Sequence, residues 1–208
     1  MTSSTLNKVI RTHLKPFLIE CGFERVTDRL YTKTVGIFDY IIEIKSVGNY
    51  FSKVTGWPPQ SIVSFGGVNC NVIKSSHKKV YHFQKDNLCS LDQTNTKDRL
   101  NTWSERERDD IWWIDDDSNL EEIVNDLKGS IEKHSFNFFN SFKEKTIEDM
   151  ITETEKQNDG YWKYLHLYYL YKFANKEKEA EENKDKFIAE GLEMKVKKED
   201  LLKMLGDE

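Results

Sequence analysis

The stretch Phe38-Asp-Tyr-Ile-Ile-Glu-Ile-Lys-Ser-Val47 changes character from residue to residue. Side chains alternate across an extended chain, so Tyr40, Ile42 and Ile44 face one way while Ile41, Glu43 and Lys45 face the other. This is a strand. Upstream, Phe23–Lys33 carries Leu30, Tyr31 and Thr32 after a polar turn at Thr27-Asp28 and reads as another. Downstream, Ser61–Val72 reads as a third, where Gly66-Gly67 marks a bulge or a close backbone approach. Strands joined consecutively by short links favour an antiparallel sheet. Between the last two, Gly48–Gln60 is rich in Gly, Pro and aromatics and is expected to be a loop.

Helical spacing flanks this sheet. Leu6, Val9, Ile10, Leu14, Phe17 and Leu18 form one apolar stripe over residues 5–21, with Pro16 placed to kink it and Gly22 to end it. Residues 73–110 give weak signals, with short strands at Val80–Phe83 and Cys89–Leu91. Ile111–Ile114 is a compact apolar run, a strand or the entry to a helix. Beyond it Ser118-Asn-Leu-Glu121 matches a capping box, and Leu120, Ile123, Val124, Leu127 and Ile131 supply the stripe. Phe136, Phe138, Phe139 and Phe142 continue that packing. Further helices are expected from Thr146 to Lys156, over Tyr161–Asn175 as a buried central helix, over Lys176–Glu190 ending at Gly191, and over Lys198–Leu205. The expected fold is α+β: an N-terminal helix packed on a mainly antiparallel sheet, followed by a helical C-terminal half. Residues 1–115 would form the helix-plus-sheet module and 116–208 the helical region, packed on or beside it or continuous with it.

The 208 residues suffice for a sizeable core. Charge is unevenly spread. Residues 1–114 carry 16 Lys+Arg against 12 Asp+Glu, and residues 115–208 carry 15 against 24. An acidic half repels phosphates, which argues against nucleic acid, and it suits a basic protein partner. Cys21, Cys70 and Cys89 lack paired spacing and read as reduced, buried thiols in a reducing compartment. The N-terminus has no apolar signal region and no apolar run reaches membrane-span length, so a cytoplasmic location is expected.

Catalytic patterns are sparse. Asp39 with Glu43-Ile-Lys45 resembles the carboxylate and Glu-x-Lys set by which metal-dependent nucleases hold Mg²⁺ and stabilise developing charge. The competing reading is a pair of neighbours on a strand's polar face. Asp115-Asp116-Asp117 lacks the alternation of a calcium loop and is better placed to complement a helix dipole. His77 and His82 read as surface histidines; His13, His134 and His166 read as partly buried packing residues. No Gly-rich phosphate loop, nucleophile elbow or metal-ligand spacing occurs, so no cofactor is expected. Tyr50, Phe51 and Trp57 in the 48–60 segment are candidate recognition aromatics; the alternative is that they fold back over the sheet.

An ordered set of short features extends through the first two thirds of the chain. It comprises Cys21-Gly-Phe23 after the helix, Leu30-Tyr31, Ile42-Glu-Ile-Lys-Ser46, Ile62–Val72 around Gly67-Val-Asn69, and Ile111-Trp-Trp-Ile114. In this it resembles domain-of-unknown-function family 4304, over roughly residues 5–140. Glu43, where a neutral residue is usual, and the long 48–60 segment depart from the pattern. The resemblance implies an α+β fold and no set activity. Small acidic bacterial proteins of this general kind are discussed as immunity proteins in polymorphic-toxin systems, which by analogy implies a toxin-neutralising role. The leading functional expectation is therefore a non-enzymatic protein-binding module. The alternative is a divergent metal-dependent hydrolase or nuclease using Asp39, Glu43 and Lys45.

Overall fold

Among the described residues, six strands form one sheet: β1 (Glu24–Thr27), β2 (Leu30–Val35), β3 (Phe38–Ser46), β4 (Ile62–Cys70), β5 (Phe83–Asp86) and β6 (Ile111–Trp112). The structure, a computed structural model, describes residues 7–55, 58–73, 82–91, 110–114, 118–158 and 160–206. Strand order is β1-β2-β3-β4-β5, with β6 also paired to β4. The pairs β1/β2, β4/β5 and β4/β6 are antiparallel. The architecture is α+β, as the alternation in residues 38–47 predicts. In β3, Phe38, Tyr40, Ile41, Ile42 and Ile44 are buried, Asp39 and Glu43 half-buried, and Lys45 exposed.

Two long helices belong with this sheet. Helix α1 (7–20) contains a π turn at Ile10–Leu14, closed by the Lys15 N–H on the Ile10 carbonyl. The turn lies immediately before Pro16, whose ring collides with the carbonyl four residues back in a regular helix. The wider turn carries the helix past proline without the break that Pro16 threatens. Helix α3 (120–140) has a second π turn, Ile131–Phe136. Its Phe136 stacks with Phe17 and Phe23 at ring distances of 6.0 and 5.8 Å. Its Phe139 lies parallel to Tyr40 of β3 at 4.8 Å. Such pairs contribute about 0.5–1.5 kcal/mol each beyond the area they bury.

Beneath these rings the helix meets the backbone of β4. A Cβ on Gly66 would lie 2.6 Å from Ser135 Oγ, 2.9 Å from Ser135 Cβ and 3.0 Å from Phe139 Cζ. The Gly66-Gly67 signal thus marks a close backbone approach. Beside it runs a buried polar chain: Ser135 Oγ donates to Asn87 Oδ1 at 2.6 Å, and Asn87 Nδ2 donates to Ser64 Oγ at 3.0 Å. The Asn87 N–H also bonds the Ser64 carbonyl at 2.9 Å. All three residues are buried.

Several sequence expectations shift. Residues Gly48–Thr55, expected as loop, form helix α2. Gly48, with φ +75°, turns the chain out of β3, and Pro58-Pro59 follow the helix as breakers. The cap of α3 is Asn119, whose side chain accepts from the Glu122 N–H at 3.3 Å, one residue later than the Ser118 box. His82, expected at the surface, is 2% exposed. His77, Trp57 and Asp115–Asp117 lie outside the described residues.

The chain divides into two units by contact. The first takes the described residues of 1–35, 39–68 and 83–140, and the second those of 36–38, 69–82 and 141–208. The composition changes at 115, whereas along the helices contacts change partners after 140, so α3 goes with the sheet. The second unit contains α4 (Ile147–Lys156), α5 (Tyr161–Phe173), α6 (Glu177–Glu193) and α7 (Lys198–Met204). Thr146 caps α4 in a reciprocal box with Asp149. Leu165 to Leu170 are buried without interruption, so α5 is the central helix its composition predicts. Gly191 does not end α6. It lies buried inside the helix, where a Cβ would stand 2.6 Å from Leu201 Cδ2 of α7.

The polar chain generates a stability prediction. Asn87→Ala leaves the Ser135 and Ser64 hydroxyls buried without their partner. It should lower unfolding free energy by about 1–3 kcal/mol in urea titrations, and a change below about 0.5 kcal/mol, the level of ordinary surface substitutions, would contradict the assignment.

Candidate functional site

Helix α3 begins next to β6, and the sequence there concentrates carboxylates. Glu121 and Glu122 occupy the first turn, where they complement the helix dipole. One turn on, Asp126 is held by three donors. It accepts the Trp112 Nε1–H at 2.8 Å, the Ser90 N–H at 3.1 Å and the Ser90 hydroxyl. Trp112 is completely buried. Its indole N–H needs an acceptor, and Asp126 is where the chain supplies one. The Asp126 carboxylate is therefore fixed from below by the core and from the side by residue 90.

Around this fixed carboxylate lies an open depression of about 630 Å³, lined by Leu91, Asn119, Glu121, Glu122, Asn125 and Asp126. Its rim carries acceptors and negative charge, with Leu91 as the apolar contact. Glu121, Glu122 and Asn125 are exposed. Such an arrangement attracts a cationic side chain or a basic segment. Among the described residues, no group of three or more His, Cys, Asp or Glu is placed to hold a metal ion.

The residues singled out from sequence lie elsewhere. Asp39 accepts a hydrogen bond from Thr34 at 2.7 Å. Glu43 and Lys45 pair at 3.3 Å, and the Lys45 ammonium sits 4.6 Å from the centre of the Phe65 ring. Asp39 and Glu43 share a sheet face but stand four residues apart, about 13 Å along a strand. Ligand distances near 2.0–2.1 Å cannot bring both onto one Mg²⁺. The structure brings Glu43 and Lys45 together and leaves Asp39 apart. Tyr50 on α2 is 76% exposed. Phe51 follows it on the same helix, with its side chain outside the description, as is the whole of Trp57. Cys70 is buried, Cys21 and Cys89 are half-buried, and none of the three is in a disulfide. Burial raises the Cys21 thiol above its usual range, so it is a poor nucleophile.

Sequence reading missed the depression because the contacts that fix Asp126, and that bring Leu91 beside it, come from elsewhere in the chain. Glu121 and Glu122 are visible as helix-opening residues. Nothing in the sequence ties Asp126 to Trp112, 14 residues away, or to Ser90, 36 residues away. The one available signal is a tryptophan in an apolar run, which predicts a burial-driven search for an acceptor.

No family model, curated protein or solved structure matches the chain. Among the described residues no helix is long and apolar enough to cross a membrane.

The geometry separates two kinds of carboxylate here. Asp126→Ala removes the acceptor of a buried indole and should cost about 1–3 kcal/mol, whereas Glu121→Gln and Glu122→Gln should stay within about 0.5 kcal/mol of wild type. Urea midpoints of the three variants check this, and equal effects would show that Asp126 anchors nothing.

Proposed function

We propose that the chain is a non-enzymatic protein-binding module that receives a basic segment of its partner in the acidic depression at the start of α3. The observation that carries this is Asp126. It is a carboxylate immobilised by Trp112 and Ser90 in a surface hollow with two exposed glutamates beside it. A charge held in place before binding needs no ordering on contact, and charge complementarity speeds encounter and selects the partner. The excess of acid over base in residues 115–208 favours the same sign of partner. A toxin-neutralising, immunity-type role is the narrower form. It is supported by the small acidic character of the chain and by its resemblance to family 4304.

The test is direct binding to the protein encoded next to this chain, measured by calorimetry after co-purification. Glu121→Lys with Glu122→Lys, on the folded protein, should weaken binding by about tenfold or more through lost steering and new repulsion. Wild-type affinity should also fall as salt rises from about 50 to about 300 mM. Undiminished affinity of the double variant, or absence of any binding to the adjacent product, contradicts the proposal.

A further inference from the structure

The second unit contains two buried histidines that no feature described so far uses. His82 is 2% exposed and His166, on α5, is 4% exposed. Their ring centres are 4.5 Å apart and inclined at 51°. His82 is tied down through its backbone and its side chain. Its N–H donates to Asn69 Oδ1 at 3.0 Å, and its carbonyl accepts from Gln157 Nε2, just past the end of α4, at 3.0 Å. Its ring Nε2 lies 2.7 Å from Thr154 Oγ1 of α4.

The tautomer follows from the partners. Thr154 spends its hydroxyl hydrogen on the Met150 carbonyl at 2.6 Å. The hydroxyl oxygen is left to accept, so Nε2 of His82 carries the hydrogen and Nδ1 carries the lone pair. A proton arriving at the pair must enter a site walled off from water. Among the described residues, α4 offers the neutral Thr154, the residue after that helix offers the neutral Gln157, and α5 offers the second imidazole. His166 is, among the described residues, the titratable neighbour that, after burial, lowers His82, and burial is what lowers His166. Burial pushes both rings towards the neutral form, His166 down to about 4 and His82 well below its usual value.

We propose that His82 and His166 form an acid-sensitive latch that ties the chain at Asn69 and His82 to helices α4 and α5, closed while both rings are neutral and opened when either takes a proton. An unfolded histidine titrates near 6.5, whereas His166 in place stays neutral until about 4. Between those values the open form holds more protons than the closed one, so closure weakens as pH falls. Each histidine makes the closing equilibrium up to roughly tenfold less favourable per pH unit in that window.

The test combines imidazole NMR titration with amide hydrogen exchange, corrected for intrinsic rate, on the full chain between about pH 7.5 and 4.5, a range bracketing the ordinary histidine value. Two of the five imidazoles should keep neutral shifts below pH 6. Protection in residues 147–173 should fall progressively with acid, while that of α3 falls less. His166→Phe retains a ring and should reduce the slope of log protection on pH; His82→Gln should do likewise. Free titration of both rings near 6.5 without loss of protection overturns the latch. So does an equal loss in α3, which would mark general acid unfolding, and so does an unchanged slope in both variants. If neither variant folds, the wild-type titration and exchange decide alone.

Discussion

Helix α3 can reach the sheet only because residue 66 has no side chain. At that point Ser135 and Phe139 occupy the space a Cβ would need, and the aromatic stack and the buried polar chain lie around the contact. The π turn at Ile131–Phe136 widens the helix where it touches, which aims Ser135 at Asn87 while Phe136 and Phe139 cover Phe23 and Tyr40. The polar chain from Ser135 through Asn87 to Ser64 then fixes the register of helix against strand. Apolar contact alone is non-directional and tolerates sliding; a buried hydrogen-bonded chain does not, since one slipped residue orphans its groups.

Fixing α3 also fixes what its first turns present. Trp112 is pinned under the helix, Asp126 satisfies its indole, and the carboxylates at the N-terminal end face solvent as a set. The proposed recognition surface is thus a by-product of core packing: the same helix buries Val124 and Leu127 on one side and displays Glu121, Glu122 and Asn125 on the other. In the second unit glycine serves a comparable purpose, for Gly191 admits Leu201 of α7 against α6. That unit also holds two histidines in its interior, and the proposed latch makes its stability depend on proton concentration in the range where histidine titrates.

Much of this was legible in the sequence where local pattern and tertiary environment agree. The alternation of residues 38–47 gave β3, Gly66-Gly67 flagged the close approach, and Thr146 and the apolar run after Tyr161 located α4 and α5. Legibility failed where a single residue type carries two meanings. Gly and Pro around 48–60 read as loop, yet here they bracket a helix. Gly191 read as a stop, yet it sits where a neighbouring helix presses closest. His82 lies beside Lys78, Lys79 and Tyr81, and such polar company hides a ring buried by residues 72 and 84 positions further on. Asp39, Glu43 and Lys45 matched a motif by order while strand rise keeps the carboxylates apart. Contacts of long sequence separation have no local signature, and the bonds that anchor Asp126 and the histidine pair are of that kind.

The dependence of the fold on the absent side chain at position 66 is open to a double-mutant cycle. Urea unfolding of Gly66→Ala, Ser135→Gly and the combined variant gives the coupling between the two positions. If the close approach governs the packing of α3, Ser135→Gly frees part of the space the new methyl needs, and the double variant is more stable than the sum of the single effects predicts, by about 1 kcal/mol or more. Additive effects within about 0.3–0.5 kcal/mol would contradict it and would place the helix further from β4.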